Sequence, residues 1–162
     1  MNKLKTVFVD RDGVINQERS DYVKSISELE IYPNVAKNIK LLKDAGFLVV
    51  VITNQSAVNR GIITHEMINQ IHNSIQDHLK KHGTFLDGFY YCPHTPNENC
   101  NCRKPKSGLL EKAILELNID LNSSWMIGDR DSDIEAANSI GCKAIKIGDS
   151  FSLDNAVEKI LN

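Results

Sequence analysis

Five short apolar runs constrain this chain more than any other feature. "TVFV", "FLVVVIT", "GFYYC", "SWMIGD" and "CKAIKI" are rich in β-branched and aromatic residues, as strands buried on both faces are. Between them the apolar period changes to that of a helix: Val35, Ile39 and Leu42; Met67, Ile71, Ile75 and Leu79; Leu110, Ile114 and Leu117; Leu153, Val157 and Ile160. Ser132 and Glu135 fit a capping box before the fourth helix, and Gly46, Gly83 and Gly141 stand where helices should stop. Strand-helix alternation of this kind predicts an α/β fold, a three-layer, doubly wound (Rossmann-like) parallel sheet with helices on both faces. In such a sheet ligands bind outside the carboxyl ends of the strands.

The 162 residues, with no linker, repeat or low-complexity segment, predict a single domain spanning 1–162. No run approaches the roughly 20 apolar residues of a membrane span, and "MNKLKTVFVDRDG" leads directly into a strand, so a cytoplasmic chain with reduced thiols is expected. A net charge of −2 provides no global field for nucleic acid. The absence of long exposed apolar segments favours a monomer.

The strand ends carry acidic and hydroxyl side chains. "VFVDRDGVIN" puts Asp10 at the first tip and Asp12 two residues on; "VVVITNQS" puts Thr53 and Asn54 at the second; "MIGDRDSD" puts Asp129 at the fourth, with Asp133 one helical turn later. A single aspartate at such a place, Asp12 before Gly13 for example, is commonly a turn former or helix cap. Packed together, however, Asp10, Asp12 and Asp129 would repel one another unless a hard cation such as Mg²⁺ sat among them.

"CPHTPNENCNCRKP" concentrates Cys92, His94, Cys100 and Cys102, a complete Cys₃His set for tetrahedral zinc. Inert buried cysteines and a redox pair in C-x-C are the competing readings. Polar "PNEN" cannot bury thiols by itself, whereas zinc can order a polar loop and so position the Arg103 and Lys104 that follow. Cys142 stands apart and reads as core.

"DRDGV", "TNQS", "CRKP" and "GDRDSD" together resemble the four motifs of the haloacid dehalogenase-like phosphatases, in their histidinol-phosphatase and heptose-bisphosphate phosphatase branch. The resemblance spans the whole chain. It implies a capless phosphatase in which Asp10 is the nucleophile that forms an aspartyl-phosphate and Asp12 is the acid and then the base. Asp10, the backbone carbonyl of Asp12, and Asp129 would hold Mg²⁺, with Asp133 an acceptor behind them. Thr53 and Lys104 would grip the transferring phosphoryl oxygens.

With no room for a cap, the pocket must be walled by "NQERSDYVKS", "NQSAVNRG" and the zinc loop, and in the family these parts read the leaving group. This implies substrate contacts from Arg19, Ser20, Asp21 and Tyr22, from Asn54, Gln55, Ser56 and Arg60, and from Arg103 and Arg130. "TNQSAVNRG" and "SDYVKS" are similar to the heptose-type enzymes. There Arg60 would capture a second phosphate; a solvated helix-flanking charge is its alternative reading. The implied reaction is Mg²⁺-dependent removal of the 7-phosphate from D-glycero-D-manno-heptose 1,7-bisphosphate, a small-molecule sugar phosphate. Histidinol phosphate is the alternative substrate. A zinc-stabilised binding module is a reading of another class, opposed by the lack of a basic recognition helix and by the presence of Asp10, Asp12, Lys104 and Asp129.

Overall fold

Each of the five apolar runs pairs as a strand in one parallel sheet. The computed structural model describes residues 2–162. In chain order the elements are β1 (Thr6–Val9), α1 (Val35–Asp44), β2 (Leu48–Asn54), α2 (His65–Lys81), β3 (Gly88–Cys92), α3 (Gly108–Leu117), β4 (Trp125–Gly128), α4 (Asp131–Ser139), β5 (Lys143–Lys146) and α5 (Leu153–Leu161). The sheet order is β3-β2-β1-β4-β5. The strands are nearly continuous apolar runs because both faces are covered, and the two-residue pleat sorts them. Val7, Val9, Val49 and Val51 pack with α1, α2 and α5, whereas Phe8, Val50 and Ile52 pack with α3 and α4.

α1, α2 and α4 end as expected, with Gly46, Gly83 and Gly141 all left-handed. Two local expectations are corrected. α4 starts one residue before Ser132, with Arg130 as N-cap, and it is Asp133 that turns back to accept the Arg130 N–H at 3.1 Å. The expected Ser132/Glu135 box is displaced because Asp133 is drawn inward by a buried lysine, described below. On α2 the buried face is Ile68, Ile71, His72, Ile75 and Leu79, with Met67 only half-buried. No helix among the described residues is long and apolar enough to cross a membrane.

Candidate active site

The chain starts in the middle of the sheet, builds outward through β2 and β3, and returns to the other side of β1 for β4. A crevice opens outside the carboxyl ends where the direction reverses, between β1 and β4. Val9 pairs with Ile127, and the Asp10 N–H donates to the Ile127 carbonyl at 3.1 Å, so Asp10 and Asp129 flank that crevice.

Asp10 Oδ1 accepts from the Arg11 N–H at 2.8 Å and from Lys104 Nζ at 3.0 Å. The same ammonium donates to Asp133 Oδ1 at 2.6 Å and to the Ile52 carbonyl at 2.7 Å, and Lys104 is only 4% exposed. Asn54 fixes this lysine from behind. Its Oδ1 accepts the Lys104 N–H at 3.0 Å and its Nδ2 donates to the Lys104 carbonyl at 3.1 Å, so its amide is engaged by Lys104. Burial opposes the charge on Lys104, but Asp10 and Asp133 outweigh it and hold its pKa above the ordinary lysine value.

Lys104→Met should therefore leave two buried carboxylates without their cation and destabilise the protein by about 3–5 kcal/mol, read from urea unfolding. A loss below about 1 kcal/mol would mean that the contacts of Lys104 with Asp10 and Asp133 add little to stability.

The carboxylates are crowded. Burial first, then the charges of Asp133 and Asp12, push the Asp10 carboxyl up to about 7 against the pull of Lys104. Burial and the Asp133 charge also raise Asp129. Oxygens of Asp10, Asp129 and Asp133 lie within 4.8 Å of one another, and Asp129 Oδ1 is buried with no hydrogen-bond partner. Asp133 has both oxygens engaged, by Lys104 and by the Arg130 N–H. An acidic cluster with one orphaned oxygen suits a hard divalent cation held by Asp10 and Asp129. Gly13 makes room for this approach. It is left-handed at φ 89°, and a Cβ there would lie 2.1 Å from Asp129 Oδ2. The turn that Asp12-Gly13 suggested is also present, closed by the Val14 N–H on the Arg11 carbonyl at 3.2 Å.

Asp12 is held by three donors: Arg11 Nη2 at 2.9 Å and Asn16 Nδ2 at 3.0 Å on Oδ1, and Gln55 Nε2 at 2.8 Å on Oδ2. Burial works against its ionisation, but the Arg11 guanidinium and these hydrogen bonds hold its carboxyl below the usual carboxylate range. Gln55 also donates to Thr53 Oγ1 at 3.0 Å, which ties the β2 tip to Asp12. Sequence reasoning missed Arg11, Asn16 and His72. The one available signal was a histidine at position 72 on the apolar face of α2, four residues from Ile68.

A cavity of about 540 Å³ stands over this floor. The expected walls line it: Arg19, Ser20 and Tyr22 from the first segment; Asn54, Gln55, Ser56 and Arg60 from the second; Arg103 and Lys104 after the cysteine loop; and Arg130. Glu18 also lines it and pairs with Arg130. Asp21 is not among the lining residues; its side chain faces solvent and pairs with Arg19 and Lys24. Ser56 Oγ accepts from Arg60 Nε at 3.2 Å, which holds the root of that guanidinium over the cavity.

The quartet Cys92, His94, Cys100 and Cys102 converges, with one donor atom from each within 4.8 Å of all the others. His94 Nδ1 is 3.2 Å from both the Cys92 and the Cys102 sulfur. Three sulfurs and an imidazole nitrogen in one cluster match the donor chemistry of a closed zinc site. The loop is tied to the cavity walls by Arg103 Nη1 on the His94 carbonyl at 3.2 Å, and by Asn59 Nδ2 on Glu98 Oε1 at 3.0 Å.

A family model described as HAD-hydrolase-like matches residues 101–159. The D-glycero-β-D-manno-heptose-1,7-bisphosphate 7-phosphatase of Helicobacter pylori is 42% identical over 137 residues, which cover 84% of this chain and 79% of the relative. The chain belongs to the haloacid dehalogenase-like phosphatases. Within this family, the crystal structure of a D,D-heptose 1,7-bisphosphate phosphatase from B. bronchiseptica, complexed with magnesium and phosphate, superposes with a TM-score of 0.90. It shares 29% identity with this chain, over 98% of each. The histidine biosynthesis bifunctional protein of Legionella pneumophila is 34% identical over 159 residues, and the match spans 98% of this chain but only 45% of that longer one.

Proposed function

We propose that this haloacid dehalogenase-like phosphatase removes the 7-phosphate of D-glycero-β-D-manno-heptose 1,7-bisphosphate. The observation that carries the reading is the division of the cavity. Its floor holds a buried carboxylate and lysine, Asp10 and Lys104, and its walls present Arg60, Arg103 and Arg130 to a second anionic group. A monophosphate has no use for both sets. The relative from H. pylori, named for the β bisphosphate, supports this substrate and this anomer.

The Asp10 carboxylate attacks phosphorus, and the bond from phosphorus to the sugar oxygen breaks as the aspartyl-phosphate forms. Lys104 and the Thr53 hydroxyl hold the phosphoryl oxygens on which charge develops. Asp12 starts ionised. The approach of a phosphate dianion raises its proton affinity, so that it takes up a proton from solvent water and then delivers it to the departing sugar oxygen. It then takes a proton from the water that cleaves the aspartyl-phosphate and regenerates Asp10. Mg²⁺ bound by Asp10, the Asp12 carbonyl and Asp129 would neutralise the repulsion between carboxylate and phosphate. Zinc on Cys92, His94, Cys100 and Cys102 would be structural, because four protein ligands leave no open position. The thiol-rich zinc site and its reduced ligands suit the cytoplasm.

Phosphate release in Mg²⁺ should be compared on both anomers of the bisphosphate and on histidinol phosphate. The β bisphosphate is expected to show the highest kcat/KM. A preference for histidinol phosphate would overturn the substrate while leaving the chemistry in place. Arg60→Ala tests the wall directly. Loss of a charge-assisted contact worth about 1.5–3 kcal/mol should raise KM for the bisphosphate roughly 10–100-fold, with kcat nearly unchanged. An unchanged KM would make Arg60 a surface charge.

A further inference from the structure

Arg11 is buried to 1% exposure between the two aspartates, and the reaction above gives it no task. One of its donors, Nη2, reaches Asp12 Oδ1 at 2.9 Å. Another, Nη1, lies 3.3 Å from His72 Nε2 on α2, while Nε is buried with no partner at all. A buried guanidinium with an unmatched donor is a poor packing element, and an apolar side chain of similar volume is often at least as stabilising. Its retention therefore needs a reason other than stability.

The geometry around His72 supplies one. The ring lies flat against Phe89 of β3, with centroids 4.5 Å apart and planes 16° apart, and Tyr91 meets it edge-on at 5.9 Å. Two aromatic neighbours thus fix the ring plane and aim Nε2 at Arg11. Burial first, and then the Arg11 charge, lower the His72 pKa to about 3, so the ring is neutral. A guanidinium can only donate, so in this contact Nε2 is the acceptor. A guanidinium is a rigid planar fork, so anchoring Nη1 sets the direction of Nη2. Asn16 and Gln55, the other donors to Asp12, are neutral amides. His72 is not among the residues that line the cavity.

We propose that His72 is a positioning residue: by anchoring Arg11, it holds the Asp12 carboxylate where it can serve the departing sugar oxygen. The proposal rests on the reading of Asp12 as proton donor, and the test separates the two. His72→Phe keeps the ring stack and removes the acceptor, whereas His72→Gln places an amide oxygen close to the Nε2 position. Each is assayed beside Asp12→Asn on the heptose bisphosphate, an alkyl ester, and on p-nitrophenyl phosphate, whose phenolate leaves without needing a proton. kcat/KM reports only the steps through cleavage of the ester bond.

His72→Phe should lower kcat/KM for the alkyl ester about tenfold and for the aryl ester less than about threefold, a fraction of what full loss of acid catalysis costs. His72→Gln should recover most of the difference, and Asp12→Asn should lose far more on the alkyl than on the aryl ester. If Phe fails to fold, His72→Leu measures the same ratio. Equal losses on both esters, no loss on either, or a Gln variant as poor as Phe would overturn the role of His72 while leaving the Asp12 reading intact. Equal losses in Asp12→Asn would remove the proton-donor reading and the role of His72 with it.

Discussion

Asp10→Asn should lower phosphate release on the order of 10⁴-fold or more and leave the fold standing. The amide is the same size but cannot attack phosphorus, so the pathway through an aspartyl-phosphate closes. The fold survives because Lys104 keeps two of its three partners, Asp133 Oδ1 and the Ile52 carbonyl. Removing one of several mutually repelling buried carboxylates also relieves the pressure that raises Asp10 to about 7. The metal-free variant should therefore melt no lower than metal-free wild type. Activity within about a hundredfold of wild type would sink the nucleophile assignment. A collapse in melting temperature would instead show Asp10 to be a structural partner of Lys104.

Stripping zinc should have the largest effect on stability. Between the end of β3 at Cys92 and the start of α3 at Gly108 the chain forms no helix or strand, yet this stretch delivers Arg103 and Lys104 to the cavity. Polar turn residues cannot order it by apolar burial, whereas metal-ligand bonds in the proposed zinc site would. Structural zinc contributes on the order of 10 kcal/mol in small domains. Loss of even half of that would lower the melting temperature by roughly 10–20 °C in a chain of this length. Chelation followed by Mg²⁺ alone should leave the protein unstable and poorly active, and added Zn²⁺ should restore both. The Asn59–Glu98 contact extends the damage to the wall that carries Arg60, so KM should rise as well as kcat fall. Full activity and an unchanged melting temperature in Mg²⁺ alone would make the quartet an ordinary cluster of thiols.

The strands, the helix ends and the cysteine quartet were legible in the sequence because each is written in local chemistry. β-branched runs, 3.6-residue periods, glycines at helix ends and ligand spacings all act over a few residues. The aspartates were legible for a related reason: they sit at strand tips, and strand tips are found once strands are. Two local readings were overridden by tertiary demand. The α4 cap moved to Arg130 because Lys104, 29 residues before Asp133, pulls that carboxylate inward. The buried stripe on α2 includes His72, a polar residue that hydropathy would place in solvent.

By itself the sequence determined the α/β architecture, the residues at the strand ends and the donor set for a metal. The tertiary structure decided the order of the strands and therefore which tips adjoin: β4 inserts beside β1, so Asp10 meets Asp129 across the switch in sheet direction. It also decided which polar groups at the cavity are tied to catalytic candidates, as Asn54 is to Lys104 and Gln55 to Asp12. Arginine and histidine in a sequence read as solvated charges; the partners that bury Arg11 and His72 lie 61 residues apart and meet only when α2 closes over the sheet. Local propensity is a property of neighbouring residues, whereas the cost of burying a charge depends on what folding brings beside it.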